Sequence, residues 1–235
     1  MRPLSNPDFL SVWERGLWLH PLDRSLLALA TALPETSYES LADWPLGCRN
    51  RALAELRCAC FGPSLQAWMT CPQCGERLEF EMDAGSLARE PNEPGPREPI
   101  FANGRSFRLP TSRDLARVAG ESDSRLAAIR LLEGCLLEGG VTRPWCDEDM
   151  EEVGEKMARA DPLAETRLAL QCAACGHEWD ETLNIAAFVW TEIEARAKRL
   201  LFETHTLASA YGWTEREILS LGDRRRASYM EMAQH

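Results

Sequence analysis

Two Cys-x-x-Cys-Gly elements, Cys71-Pro72-Gln73-Cys74-Gly75 and Cys172-Ala173-Ala174-Cys175-Gly176, leave 97 residues between Cys74 and Cys172 in a chain of 235. Two cysteines with two residues between them reach one ion from a tight turn. Four thiolates fill the tetrahedral shell of a structural zinc. The glycine after each second cysteine supplies a left-handed backbone position at little steric cost, and Pro72 pre-sets φ inside the first turn. The pattern therefore predicts one zinc held by Cys71, Cys74, Cys172 and Cys175, which ties together two stretches far apart in the chain. Two surface thiol pairs remain an alternative, as does a redox disulfide, although the βαβ context of the latter is missing. His177, just beyond the second element, is an alternative ligand or a neighbour packed beside Trp179.

Around these elements the periodicity changes. Leu78-Glu79-Phe80-Glu81-Met82-Asp83 alternates apolar and acidic residues, the pattern of a half-buried strand. Leu168 to Gln171 and Glu178 to Asn184 read as strands that flank the second element, with Trp179 and Leu183 on one side. A knuckle at the turn of a hairpin is the layout of a zinc ribbon, here split by a long insert. Helical spacing marks Pro21 to Leu33 and Leu46 to Phe61, the latter closed by Gly62-Pro63. Cys58 and Cys60 diverge by about 200° on that second helix, so with Cys48 they read as small core residues and not as ligands.

Prolines 91, 94, 96 and 99 make Gly85 to Gly104 read as a mobile loop. Phe107-Arg108-Leu109 reads as a short strand, and Asp114 to Ala119 and Arg125 to Leu137 as helices. The acidic run from Asp147 to Glu155 suits a solvated helix whose first turn favours carboxylates, or a docking face for a basic partner. From Ile185 one apolar stripe runs through Phe188, Val189, Ile193, Ala197, Leu200, Leu201, Leu207, Ala208 and Tyr211 to Gly212. Thr214 and Glu217 form a capping box for a short helix, and a last helix follows from Arg224. The expected fold is α+β, mostly α. It has an N-terminal helical region (1–69), a split zinc ribbon with helical insert (70–184) and a C-terminal helical tail (185–235).

Composition narrows the function. The net charge of −11 opposes nucleic acid as the main partner, because such binding rests on cation–phosphate contacts. No apolar run approaches the ~20 residues of a membrane span, and the first residues have no apolar signal core. Nine cysteines without a signal segment suggest metal ligands in a cytoplasmic protein. Four sulfurs leave no open position for a reacting water, and no phosphate loop, nucleophile elbow or His-Glu-x-x-His element occurs, so no catalytic residue and no small-molecule substrate is expected.

Several blocks together carry a family resemblance. They are Cys71 to Asp83, Phe107-Arg108-Leu109-Pro110-Thr111-Ser112-Arg113-Asp114-Leu115, Cys172 to Trp179, Phe188-Val189-Trp190-Thr191-Glu192-Ile193, and His205 to Leu221 with its Tyr211-Gly212-Trp213. The chain from about residue 20 to residue 232 resembles the zinc-ribbon baseplate and baseplate hub assembly proteins of T-even-type phage tails and related contractile injection systems. Its C-terminal block is also similar to the ends of phage tail-assembly chaperones. The resemblance implies a non-enzymatic part in building or completing a baseplate, with baseplate or tail proteins as partners, either in the cytoplasm or within the particle. Trp190, Trp213 and the cluster Arg224, Arg225 and Arg226 are then the candidate partner-binding residues, against a plain reading as core aromatics and solvated arginines. The alternative function is a zinc-ribbon nucleic-acid-binding or transcription-associated protein, which the same arginines would serve.

Overall fold

The computed structural model describes residues 1–89, 98–138 and 144–233. Four helices open the chain, α1 (Asn6–Gly16), α2 (Pro21–Ala32), α3 (Tyr38–Ala42) and α4 (Leu46–Phe61). A hairpin of β1 (Ser64–Thr70) and β2 (Arg77–Asp83) follows, then α5 (Ala84–Arg89), β3 (Ile100–Ala102) and β4 (Arg105–Phe107). Next come α6 (Ser112–Val118), α7 (Ser124–Cys135), β5 (Leu136–Glu138) and α8 (Asp147–Ala160). A second hairpin, β6 (Thr166–Gln171) and β7 (Glu178–Leu183), leads into α9 (Ile185–Tyr211), α10 (Glu215–Ser220) and α11 (Asp223–Ala233). The fold is α+β and mostly helical, as expected.

Two units divide the chain instead of three successive regions. One joins residues 1–34 to 186–235, and the other spans 35–185. The first unit therefore takes both chain ends, which a linear reading of periodicity had kept apart. Within it a Cβ on Gly16 of α1 would stand 2.6 Å from Cζ3 of Trp190 on α9, so only glycine lets the indole lie against that turn. On α9, Ile185, Val189, Ile193, Ala197, Leu200 and Leu207 are buried as the stripe predicts and Phe188 and Ala208 are half-buried, while Leu201 and Tyr211 are exposed, a correction to their place on it. The capping box of Thr214 and Glu217 opens α10.

The second unit explains the long gap between the cysteine pairs. The insert is a small α+β layer and not helical alone: β3, β4 and β5 form an antiparallel sheet with α6 to α8 beside it. Ile100, Phe107, Leu109, Leu132, Trp145, Val153 and Met157 make its core. Two expectations are corrected here. The segment Gly85 to Gly104 is not one loop: α5 fills its start, and Asn103 and Gly104, both at positive φ, turn β3 into β4. Its remaining part, residues 90–97 with Pro91, Pro94 and Pro96, lies outside the described residues. The short strand ends at Phe107, since Arg108 turns its guanidinium to Asp114 (2.6 and 2.8 Å) and to the carbonyl of Gly134 (2.6 Å). That carboxylate also accepts from the N–H and hydroxyl of Thr111, which caps α6.

Helix α4 brings the two hairpins into one unit. No local side chain caps its start, yet the N–H of Gly47 donates to buried Asp161 (2.8 Å), 114 residues away. Asn50 donates to the carbonyls of Leu163 (2.8 Å) and Ala164 (3.2 Å), directly before β6. At its other end Gly62, at φ 88°, releases the chain into β1. One helix thus fixes the entrances of both hairpins. Cys48 is fully buried on it, whereas Cys58 and Cys60 are only half-buried, a correction to their reading as core residues.

Candidate metal centre

The two cysteine elements occupy equivalent positions at the tips of equivalent hairpins. In the first, Thr70 pairs with Arg77 and the chain between them turns through Cys71 to Glu76. In the second, Gln171 pairs with Glu178 around Cys172 to His177. The backbone repeats bond for bond. Cys71 N–H donates to the carbonyl of Glu76 (2.8 Å) and Gly75 N–H to that of Cys71 (3.0 Å). Cys172 N–H donates to the carbonyl of His177 (2.8 Å) and Gly176 N–H to that of Cys172 (2.8 Å). Gly75 and Gly176 take φ of 77° and 73°, the left-handed conformation that closes each knuckle and that a side chain would strain.

All four sulfurs lie within 4.8 Å of one another. Across the knuckles, Cys71 and Cys175 stand 3.7 Å apart and Cys74 and Cys172 3.6 Å. Sulfurs ~2.3 Å from a central ion sit about 3.8 Å apart at tetrahedral corners, so the cluster has the size of a tetrahedral thiolate shell. Cys71, Cys74, Cys172 and Cys175 form no disulfide. Cys71 and Cys172 are buried and Cys74 and Cys175 exposed, one of each from each knuckle. The geometry brings together the four residues that the spacing singled out, and they could hold one metal ion. His177 is not among them; its ring stacks on Trp179 with centroids 5.8 Å apart.

The electrostatics ask for a cation. Backbone N–H groups of Cys175 and Ala174 aim at the Cys172 sulfur and draw its thiol down to about 7. At Cys74 the N–H of Glu76 acts the same way, but the other sulfurs, Cys175 foremost, outweigh it and push the thiol up to about 12. Cys175 also rises, despite the N–H of His177, because burial and the Cys172 and Cys71 sulfurs oppose its charge. Four thiolates this close cannot all ionise alone. A dication among them removes the conflict, and with four sulfurs around it no position is left for a reacting water.

The residues expected to bind partners fare differently. Arg226 is not part of a surface patch: it is 1% exposed and ion-paired with Glu203 (2.5 Å) and Asp223 (2.7 Å). Its neighbours Arg224 and Arg225 are exposed. Trp190 is half-buried, lies on Gly16 and carries the guanidinium of Arg24 4.7 Å from its ring centre. Trp213, also half-buried, stacks on Tyr211 and meets Tyr229 edge-on, both at 4.8 Å. Both indoles thus have work inside their own unit.

Strand β1 and the distant cap of α4 are among the features that the sequence does not announce. Strand β1 was not anticipated, although Leu65, Ala67 and Met69 alternate with polar neighbours and Trp68, and its register with β2 puts Trp68 opposite Glu79. Asp161, which caps α4 from afar, has no local signature at all. No protein family, no curated protein and no solved structure matches the chain. No helix among the described residues is long and apolar enough to cross a membrane.

Proposed function

We propose that this chain is a non-enzymatic, zinc-stabilised protein acting in the assembly or structure of a phage-type contractile-tail baseplate. The observation that carries the reading is the closed four-sulfur cluster at the tips of two hairpins, which suits zinc as a scaffold ion and leaves no open coordination site. The blocks that resemble baseplate and hub-assembly proteins include both knuckles of that scaffold, the Arg108–Asp114 network that caps α6 and, in the other unit, the end of α9 with α10. Tail or baseplate proteins are the partners, reached in the cytoplasm during assembly or within the particle.

Of the C-terminal candidates, Arg224 and Arg225 supply exposed charge, while Trp213 and Arg226 hold the segment in shape. Nucleic-acid binding is the weaker reading, since only two arginines of the basic cluster face solvent. The test is co-purification of the tagged chain with sheath, tube and baseplate proteins expressed together. Truncation after Tyr211, and separately Arg224→Glu with Arg225→Glu, should each lower recovery of those proteins. Unchanged recovery in both would defeat docking through this segment. Salt-sensitive retention on DNA with no tail protein recovered would defeat the whole reading.

A further inference from the structure

The first hairpin has two faces of opposite character. Leu65, Ala67, Met69, Leu78, Phe80 and Met82 turn to the buried or half-buried side. Gln66, Trp68, Arg77, Glu79 and Glu81 turn outward and are exposed. Trp68 is 60% exposed at the middle of that outer face, and an open hollow of about 410 Å³ lies around it. An indole left in water at the centre of a sheet contributes little to folding, so its place calls for another explanation.

Charge says what the face would accept. In residues 64–83 and 166–183 seven carboxylates stand against two arginines, and four thiolates around one dication would add two negative charges. Glu79 lies directly across from Trp68 in the register, and Glu81 across from Gln66. The face already holds a cation of the right kind: the Arg77 guanidinium sits 4.5 Å above the Trp68 ring and 3.4 Å from Glu79. Aromatic face plus carboxylate is the chemistry that recognises a guanidinium. Among the described residues the hairpin is two-stranded, so an extended segment can lie along it without displacing a third strand.

We infer that the outer face of the β1–β2 hairpin is a docking surface for a basic, arginine-bearing segment of a protein partner, whose guanidinium takes the place on Trp68 that Arg77 holds in the free chain. This inference goes beyond the tail-assembly reading and does not depend on it. Glu79 and Glu81 repel phosphate, which disfavours a nucleic acid stacking on the same indole.

The experiment uses the purified, metal-loaded full chain and a fluorescent peptide of alternating alanine and arginine, followed by anisotropy at fixed salt. Trp68→Ala keeps the charge and should weaken binding about three- to tenfold, the range of a cation–π contact. Glu79→Gln with Glu81→Gln should weaken it further, Arg77→Ala should tighten it, and Glu148→Gln with Glu151→Gln on α8 should match wild type. Equal affinity of Trp68→Ala and wild type would overturn the inference, because binding would then follow overall acidity alone. Trp68-dependent binding of a single-stranded DNA oligonucleotide would also overturn it, as would self-association lost on Arg224→Ala with Arg225→Ala. Tail-protein recovery is read in a separate assay, so the two proposals can fail independently.

Discussion

Arg226 carries a full charge at 1% exposure because three partners meet it: Glu203, itself 5% exposed on the apolar stripe of α9, Asp223, and the carbonyl of Leu221 (2.8 Å). Burial alone would raise the Glu203 carboxyl, yet Arg226 and Arg199 hold it below its ordinary value. Removing one member leaves a buried charge with its desolvation uncompensated. Arg226→Leu should therefore cost about 3 kcal/mol, read as a lowered denaturation midpoint, whereas Arg226→Leu with Glu203→Leu should regain most of that loss. Equal stability of the single and double variants would contradict the pairing. The sequence offered three arginines in a row with nothing to single out the third. Its partner stands 23 residues away, and a helical stripe read for apolar residues passes over a glutamate. The four clustered cysteines were legible for the opposite reason: their spacing is itself the geometry of the knuckle, and glycine at positive φ follows each pair.

Elements with local signals were readable, and those held by distant partners were not. α4 could be bounded from its own residues because Pro45 and Gly62-Pro63 bracket it, yet nothing local shows that Asp161 caps it. β3 went unread and β4 was placed two residues late because prolines dominate their surroundings, although Asn103-Gly104 is a turn pair suited to two positive φ values. α1 was missed despite a capping box at its start. The Ser5 N–H donates to Asp8 (2.8 Å), and Asp8 N–H to the Ser5 hydroxyl (3.3 Å). Arg2 adds an ion pair at 2.6 Å and is the largest influence holding the Asp8 carboxyl down, from 3.8 to about 2. A carboxyl depressed in the folded state stabilises above its unfolded value and loses that contribution as pH falls through the folded one. Asp8 thus supports α1 above about pH 4 and ceases to between about pH 4 and 2. Asp8→Asn should cost about 1 kcal/mol at neutral pH, the partly exposed pair being screened by solvent, and should flatten the acid side of a stability–pH curve in that window. An unchanged slope there would show that the cap contributes nothing.

At the scale of the molecule, an ion held by the four sulfurs would stabilise a different part from the hydrophobic clusters. The hairpins are two-stranded, with half-buried inner faces, and such ribbons are marginal alone in water. Structural zinc supplies roughly 10–16 kcal/mol of apparent binding free energy in small peptides, enough to decide whether ribbons of this size persist. The insert has its own core around Phe107 and Trp145, and Leu207, Ile218 and Met230 form another in the unit that joins the chain ends. Chelation should consequently act locally. Residues 64–83 and 166–183 should become protease-sensitive, while most of the far-UV helix signal, which arises from α1, α2, α4 and α7 to α9, survives. Cys74→Ser and Cys172→Ser should each reproduce the chelated pattern without chelator, one ligand lost from each knuckle having the same effect. Loaded wild type should contain one metal ion per chain by elemental analysis. Full loss of helix on chelation would mean that the ion organises both units; no change in proteolysis would mean that the four sulfurs hold nothing the hairpins need.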